Sequence, residues 1–318
     1  MELCWRFSWR IDTGITAGDG WSSGARGSRR RRFRRGPLGG VIVVLGAALL
    51  VGCSALTVTY KQLGWLIPHY IDDYIEFSES QRQRLDILLA AQLRWHRSVQ
   101  LPEYAAVLRQ FSVAIKDGLT AAELDDLLAH AEILWRDLLV HLAPDVTFLI
   151  ATLSPTQVDQ LFVALGRRNQ DFRGEHVDGA ESVLRKRQLR QMLKQAKRWL
   201  GDVNDSQQQA IQEWSQRYQL IGADSLVFRE QWQGALRDVL QRRHDDGSFA
   251  TQIRQLMVDY EQLRDRAYRE KWQTNLALLK ELLLKIDSTM GVEQRSHMQT
   301  ELRLLADDFQ GLAQVRVN

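Results

Sequence analysis

The sequence is poor in cysteine and in proline. Among its 318 residues only Cys4 and Cys53 carry a thiol, and none of the five prolines follows Pro155. Two thiols this far apart do not make a disulfide framework, and they are too few for a cysteine-based zinc site. Without proline, the chain beyond residue 155 also lacks the residue that most strongly interrupts helices. The sequence therefore favours a helical protein without structural disulfides.

The motifs of several enzyme classes are missing too. The chain contains no glycine-rich phosphate loop, no Gly-x-Ser-x-Gly elbow and no His-Glu-x-x-His zinc motif. Strand-like alternation of apolar and polar residues is nearly absent, whereas apolar residues recur every three or four positions. We therefore predict an all-α fold, assign no catalytic residue, metal ligand or cofactor, and expect that the protein is not an enzyme.

The positive charge of the chain is concentrated at one end. The whole sequence carries a net charge of +3, from 42 basic and 39 acidic residues. Residues 1–52 hold nine arginines and three acidic residues, a net +6, so residues 53–318 carry −3. A near-neutral domain gives no electrostatic reason to bind nucleic acid, and we expect no nucleic-acid partner.

Residues 1–52 have the pattern of a signal peptide. Seven arginines between Arg26 and Arg35 precede residues 41–51, which are apolar apart from one glycine. A basic segment followed by 7–15 apolar residues is typical of secretory signals. Eleven residues span about 17 Å as a helix, too little for a bilayer core of about 30 Å. Residues 1–28 exceed what a signal requires, and we interpret them as an overextended gene start.

The apolar run ends in Leu50-Val51-Gly52-Cys53, which resembles the bacterial lipobox. The resemblance implies cleavage between Gly52 and Cys53 and acylation of Cys53, whose chains would bind membrane lipid. Several acyl chains on one residue make a durable anchor, since each buried CH2 contributes about 0.8 kcal/mol. Ser54 after the cysteine, rather than Asp, implies delivery to the outer membrane, with the protein facing the periplasm. We expect export by general secretion rather than by the twin-arginine route. The alternative is a buried core cysteine that follows an apolar strand.

Capping signals divide the remaining chain into helices. We predict a lipidated N-terminus and tether over 53–62 and a helical domain over 63–318, built as an antiparallel bundle with one long C-terminal helix. Capping-box patterns occur at Ser78-x-x-Gln81, Thr120-x-x-Glu123 and Ser154-x-x-Gln157, and a fourth starts at Asn204 or Asp205. Their irregular spacing argues against a strict repeat.

Several helix boundaries follow from proline and glycine. Pro68 is predicted in the first turn of a short helix, and a longer helix is predicted from Pro102 to Gly118. The next helix is expected to stop before Pro144 and to be followed by a separate helix over 145–153. Residues 248–286 lack both a proline and a glycine, so we predict one helix of about 58 Å there.

Two groups of polar residues are candidate sites. His69, Asp72 and Asp73 share a helix face and could form a carboxylate–imidazole or metal site; the alternative is that both carboxylates cap helices or pair with arginines. We expect His96, His130 and His141 to pack between helices. The second group is a basic helix over 181–200, with no acidic residue between its cations: Arg185, Lys186, Arg187, Arg190, Lys194, Lys197 and Arg198.

The basic helix allows two interpretations. It could lie on an anionic lipid surface, because a lipoprotein has phosphate-bearing lipids nearby. Alternatively, it could be a solvated face or one paired with acidic residues such as Glu261 and Asp265.

Several segments resemble a family of uncharacterised helical lipoproteins of Gram-negative bacteria. They are the lipobox, Trp65 with His69-Tyr-Ile-Asp-Asp-Tyr74 before Ser78-x-x-Gln81, Leu101-Pro-Glu-Tyr-Ala105, Leu142-Ala-Pro-Asp145, Leu153-Ser-Pro-Thr-Gln157 and Arg198-Trp-Leu-Gly201. The resemblance implies an envelope location and an all-α fold, and it supplies no activity. Leu119-Thr-Ala-Ala-Glu123 and Leu153-Ser-Pro-Thr-Gln157 also resemble, with one departure each, the Leu-Thr-x-x-Gln openings of periplasmic stress chaperones.

These observations predict a lipid-anchored helical protein on the periplasmic side of the outer membrane. We expect a structural, binding or assembly role, with membrane lipid and envelope proteins as partners. One alternative is a chaperone-like or ligand-binding module that uses an apolar concavity between helices. The other is an enzyme built around His69, Asp72 and Asp73.

Overall fold

The computed structural model describes residues 54–245 and 247–314, and these residues form helices and connecting turns without a β-strand. The all-α prediction is confirmed. The helices are α1 Ser54–Lys61, α2 Leu63–Asp72, α3 Glu79–Trp95, α4 Leu101–Asp117, α5 Ala121–Ala151, α6 Pro155–His176, α7 Glu181–Leu200, α8 Asp205–Arg217, α9 Gly222–Gln241, α10 Phe249–Val258, α11 Arg266–Ser288 and α12 Val292–Gln314.

The predicted capping boxes are confirmed at α3, α5, α6 and α8. The side chains of Ser78, Thr120 and Ser154 each accept a hydrogen bond from the backbone N–H three residues ahead. The side chain of that third residue accepts in turn from the backbone N–H of the cap. At α8 the cap is Asn204 rather than Asp205. The donations from Thr120 also lower the pKa of Glu123, chiefly through the hydroxyl 2.7 Å from its carboxylate. Sequence alone therefore locates four helix starts, because capping bonds are local.

Two helix boundaries predicted from proline are wrong. Pro68 lies inside α2 and Pro144 lies inside α5, which continues to Ala151 without a break. An internal proline removes one amide donor and normally costs about 3 kcal/mol. In α5, Leu139, Ala143 and Leu149 are buried on both sides of Pro144, so packing of one continuous stripe offsets that cost.

The helix predicted from Pro102 continues instead from α3. A five-residue π-helix, His96–Gln100, joins α3 to α4, and the amide of Leu101 donates to the carbonyl of His96. The helix ends as predicted at Gly118, whose φ of +101° is a conformation that favours glycine.

The single helix predicted over 248–286 is also wrong. α10 ends at Val258, a 3-10 turn spans Tyr260–Leu263, and α11 starts at an N-cap, Asp265, whose carboxylate accepts the amide of Tyr268 at 2.7 Å. Arg264 lies between them with 4% of its surface exposed. Its guanidinium carbon is 4.7–5.9 Å from four ring centres, those of Phe228, Tyr260, Tyr268 and Trp272. Cation–π contacts of this kind favour a helix break that buries Arg264 over its exposure on a continuous helix.

Two hydrophobic clusters hold the helices together. In one, Leu236, Val239 and Leu240 of α9 pack with Ile253 and Leu256 of α10. The cluster also contains three residues from earlier in the chain, Ile75, Leu153 and Val158. In the other, α7, α8 and α11 contribute these buried residues: Ala196, Leu200, Ala210, Ile211, Trp214, Leu278, Leu282 and Ile286.

Pairs of glutamines join helix starts that are far apart in sequence. Gln81 and Gln157, each the third residue of its helix, exchange amide hydrogen bonds of 3.1 and 2.7 Å. Gln81 also donates to the carbonyl of Thr152 at 2.9 Å, and Gln157 donates to that of Glu76 at 2.8 Å. Each carbonyl lies two residues before the partner's N-cap. The pair therefore fastens the start of α3 to the start of α6.

The second half of the chain repeats this arrangement. Gln207 and Gln294, again third in their helices, exchange two bonds of 2.9 Å. Gln207 donates to the carbonyl of Thr289 at 3.4 Å, and Gln294 donates to that of Asp202 at 2.8 Å. Each carbonyl again lies three residues before the first residue of the partner's helix. The same pairing of glutamines thus links the starts of α3 and α6 and the starts of α8 and α12.

The region where α11 ends and α12 begins also binds the turn between α4 and α5. Asp287 is 6% exposed, and its carboxylate accepts from Arg295 at 2.8 Å and from the amide of Leu119 at 2.9 Å. Arg295 donates further to the carbonyl of Ile115 at 2.7 Å. Asp287 therefore joins the turn between α4 and α5 to the end of α11, and Gln207 joins the start of α8 to the same end.

Contacts divide the chain after Leu63 into two units. α1 lies in the first unit, and residues 64–318 form the second, which contains both hydrophobic clusters. Within residues 54–245 and 247–314, no helix is long and apolar enough to cross a membrane.

Candidate functional site

The predicted anchor lies outside the described residues. Neither Gly52 nor Cys53 is among them, and the first described residue is Ser54, where α1 begins. Residues 54–61, predicted to be part of a tether, are helical. Acylation of Cys53 stays a prediction from the sequence.

The residues of the predicted carboxylate–imidazole site point to different partners. Asp72 is the last residue of α2 and pairs with Arg82 of α3. Asp73 lies beyond the helix end and accepts from Arg168 of α6 at 3.0 Å. The ring of His69 stacks on Trp65 with 5.3 Å between the centres. The structure thus matches the alternative of arginine pairing. In the part of the chain that the structure describes, no three His, Cys, Asp or Glu side chains are placed to hold a metal ion.

Two of the three histidines predicted to pack between helices do so. His141 of α5 stacks on Trp95 of α3 with 3.6 Å between the ring centres. His96 meets the ring of Tyr104 edge-on at 5.6 Å, and burial lowers its pKa to about 4. His130 is exposed and its Nδ1 lies 2.8 Å from the carbonyl of Asp126 on its own helix. Packing was therefore the wrong expectation for His130.

An open groove of about 650 Å³ runs between α2 and α3. Leu89, Ala90 and Leu93 form its floor, and the stacked Trp65 and His69 line the opposite side. Half of the surface of Trp65 is exposed. The groove is a concavity of the kind that the ligand-binding alternative requires, although it also contains charged side chains.

The basic helix is α7, with the predicted bounds and the predicted end. Gly201 follows it with a φ of +79°, a conformation that suits glycine. Ala196 and Leu200 are buried against α8 and α11, and Leu189 and Leu193 pack against the same cluster. This packing fixes the rotation of α7, so the opposite face points outward.

Two of the seven basic residues have structural roles. Arg185 bonds Glu181 at 2.7 Å and donates to the carbonyls of Ser215 and Tyr218 at 2.8 Å each, which ties α7 to the end of α8. Arg187 donates to the carbonyl of Glu175 at the end of α6. Both guanidinium groups thus bind backbone carbonyls of neighbouring helices.

The other five basic residues form an exposed stripe, which we call the α7 basic face: Lys186, Arg190, Lys194, Lys197 and Arg198. The guanidinium of Arg198 lies 5.6 Å from the ring centre of Trp199. Among the described residues, no carboxylate forms an ion pair with Lys186, Arg190, Lys197 or Arg198. The predicted pairing with Glu261 and Asp265 is wrong, because Glu261 pairs with Arg264 and Asp265 caps α11.

Sequence reasoning missed the residues that join the turns. The sequence pattern predicts only a capping role for Gln81 and Gln207, although both are buried and each binds a glutamine of a distant helix. The recurrence of Gln at the third helix position is the signal that could have found them.

A family model matches residues 73–269, and its description is "Family of unknown function (DUF6279)". The match spans more than half of the chain and includes α7, whereas Cys53, His69 and Asp72 precede it. No curated protein and no solved structure matches the chain. The expectation of an uncharacterised family is confirmed, and its lipoprotein nature stays a prediction.

Proposed function

Since this chain belongs to DUF6279, a family of unknown function, we propose a role from its own residues. The protein is a lipid-anchored helical domain on the periplasmic side of the outer membrane. It acts there in structure, binding or assembly with envelope proteins rather than in catalysis. Its functional residue is Cys53, which carries the acyl anchor after cleavage between Gly52 and Cys53.

The observation that supports this proposal most strongly is the position of Cys53. It directly follows the apolar run 41–51 and Gly52, and it directly precedes the first described helix, Ser54–Lys61. A basic segment, a short apolar run and a small residue before cysteine occur here in the order that a lipoprotein signal requires. All of the chain's positive balance lies in the part that cleavage removes.

The non-catalytic part of the proposal rests on the side chains of the helical domain. Asp72 and Asp73 are engaged by arginines of two different helices, so they do not converge on one reacting centre. His96 is kept neutral by burial, with a pKa of about 4, and packs against Tyr104. A general acid–base pair needs groups in hydrogen-bond reach of one substrate atom.

Replacing Cys53 by serine is expected to release the protein from the membrane. Serine has a hydroxyl instead of the thiol that accepts the acyl chains, so the anchor is lost with almost no change in volume. The measurement is the fraction of the protein, expressed from its full-length sequence, that stays with washed membranes. The control is Cys4→Ser, which removes the other thiol. Equal membrane retention of the Cys53→Ser variant and the parent would overturn the anchor.

The groove between α2 and α3 supports a second candidate, a ligand-binding or chaperone-like module. Its floor of Leu89, Ala90 and Leu93 is accessible between the two helices. Suppression of client aggregation by the purified protein, lost on Leu93→Asp, would favour this candidate over a purely structural role. Inertness toward unfolding clients would count against it.

A further inference from the structure

The α7 basic face is a concentration of like charge on the exposed surface of the described residues. Residues 53–318 carry a net charge of −3, yet five cations lie on the outward side of one helix. Lys186, Arg190 and Lys194 follow at intervals of four residues, and Lys197 and Arg198 complete the row. From Lys186 to Lys197 the row is about 17 Å long.

The packing of α7 prevents this row from turning inward. Leu200 is 4% exposed and Ala196 is 8% exposed, both within the cluster shared with α8 and α11. Arg185 is fastened to α8 by two backbone carbonyls. The helix backbone therefore holds the five cations on the outer side of the domain.

Acidic residues on neighbouring helices do not pair with four of the five cations. α7 packs against α8 and α12, whose carboxylates include Glu213 and Glu301. None of the described carboxylates pairs with Lys186, Arg190, Lys197 or Arg198. The like charges are thus held together without intramolecular compensation at those four positions, an arrangement that favours an external anionic partner.

We infer that the α7 basic face docks on the anionic, phosphate-bearing surface of the bilayer. The inference rests on the proposed anchor, which would keep the domain beside lipid headgroups. Adsorption would be electrostatic, because the five cations outnumber the apolar side chains on this face, and it would orient the domain on the membrane. Each Lys or Arg near an anionic leaflet raises partitioning about fivefold.

The test uses vesicle binding by residues 54–318, which hold both hydrophobic clusters and lack the acylated cysteine. Vesicles with about one third phosphatidylglycerol in phosphatidylcholine are compared with pure phosphatidylcholine. We expect binding to the anionic vesicles only, and loss of binding in about 0.5 M salt, where the Debye length is a few ångströms. Equal binding to both vesicles, or none to either, would refute the inference.

A matched pair of triple variants locates the surface. Lys186→Gln, Arg190→Gln and Lys197→Gln together are expected to lower partitioning on the order of 100-fold. The control removes the same charge from three other helices and is expected to lower it much less: Lys116→Gln, Arg254→Gln and Lys285→Gln, all exposed. Equal losses in both triples would mean that net charge, not this face, determines binding.

Lysine footprinting gives a second result that needs no variant. Anionic vesicles are expected to slow acetylation of Lys186 and Lys197 and to leave Lys116 and Lys285 unchanged. Uniform protection, or none, would contradict docking through α7. Because the tested chain lacks Cys53, failure here is distinguishable from failure of the anchor, which membrane release by Cys53→Ser reports.

Discussion

Asp287→Ala is expected to lower the free energy of unfolding by about 3–5 kcal/mol. Asp287 is 6% exposed and accepts from both Arg295 and the amide of Leu119. Alanine would leave that amide without its acceptor and the guanidinium without its carboxylate, in a place that water hardly reaches. Removing one member of a buried pair is costly for this reason. Urea unfolding of the purified domain measures the loss.

Asp307→Ala is the matched control for this prediction. Asp307 also pairs with an arginine, Arg109, at 3.0 Å, but 70% of its side chain is exposed. Exposed pairs contribute about 1 kcal/mol or less, so the control should unfold nearly like the parent. Asp287→Asn keeps the size and one acceptor, and an intermediate loss is expected. If Asp287→Ala were no more destabilising than Asp307→Ala, the turn between α11 and α12 would not be the junction described here.

Gln207→Leu is expected to lower the free energy of unfolding by about 2–4 kcal/mol. Gln207 is fully buried, and its amide serves Gln294, the carbonyl of Thr289 and the amide of Asn204. Leucine has a similar volume but no polar atoms, so three groups lose a partner at once. The melting temperature should fall by several degrees, since 1 kcal/mol shifts it by about 2–4 °C in a chain of this size.

Gln209→Leu provides the comparison on the same helix. Gln209 is exposed and bonds only Glu213 one turn ahead, so its replacement should change stability by less than about 0.5 kcal/mol. Gln207→Leu combined with Gln294→Leu removes both members of the pair. Its loss should be smaller than the sum of the single losses, because neither amide is left without its partner. Strict additivity would show that the two glutamines do not act as a pair.

The helix starts of this fold are predictable from sequence because capping is local. Ser78, Thr120 and Ser154 each bind a group three residues away, and the sequence contains both members of each bond. The pairing of Gln81 with Gln157 joins residues 76 positions apart. No local pattern specifies which helix start meets which, so that part of the fold depends on tertiary packing.

The wrong boundaries have tertiary causes as well. The helix through Pro144 continues because buried residues on both sides of the proline pack as one stripe. The predicted long helix breaks near Arg264, whose guanidinium lies among four aromatic rings. Those rings come from three separate elements, α9, the 3-10 turn and α11, so the sequence around Arg264 contains only part of the signal.

The basic site on α7 was also predictable from the sequence only in part. The sequence identified α7 and its seven basic residues, because composition and periodicity are local properties. It could not separate Arg185 and Arg187, which bind backbone carbonyls of α8 and α6, from the exposed cations. That separation depends on the rotation of α7, which the buried Ala196 and Leu200 determine.

The central claim, an acylated Cys53 at the mature N-terminus, is tested most directly by mass spectrometry of protein extracted from membranes. Trypsin cuts after Lys61, so the account predicts a first peptide of residues 53–61 that is heavier than its sequence by the acyl groups on Cys53. Recovery of an unmodified peptide that covers residues 36–61, uncut before Cys53, would contradict the account.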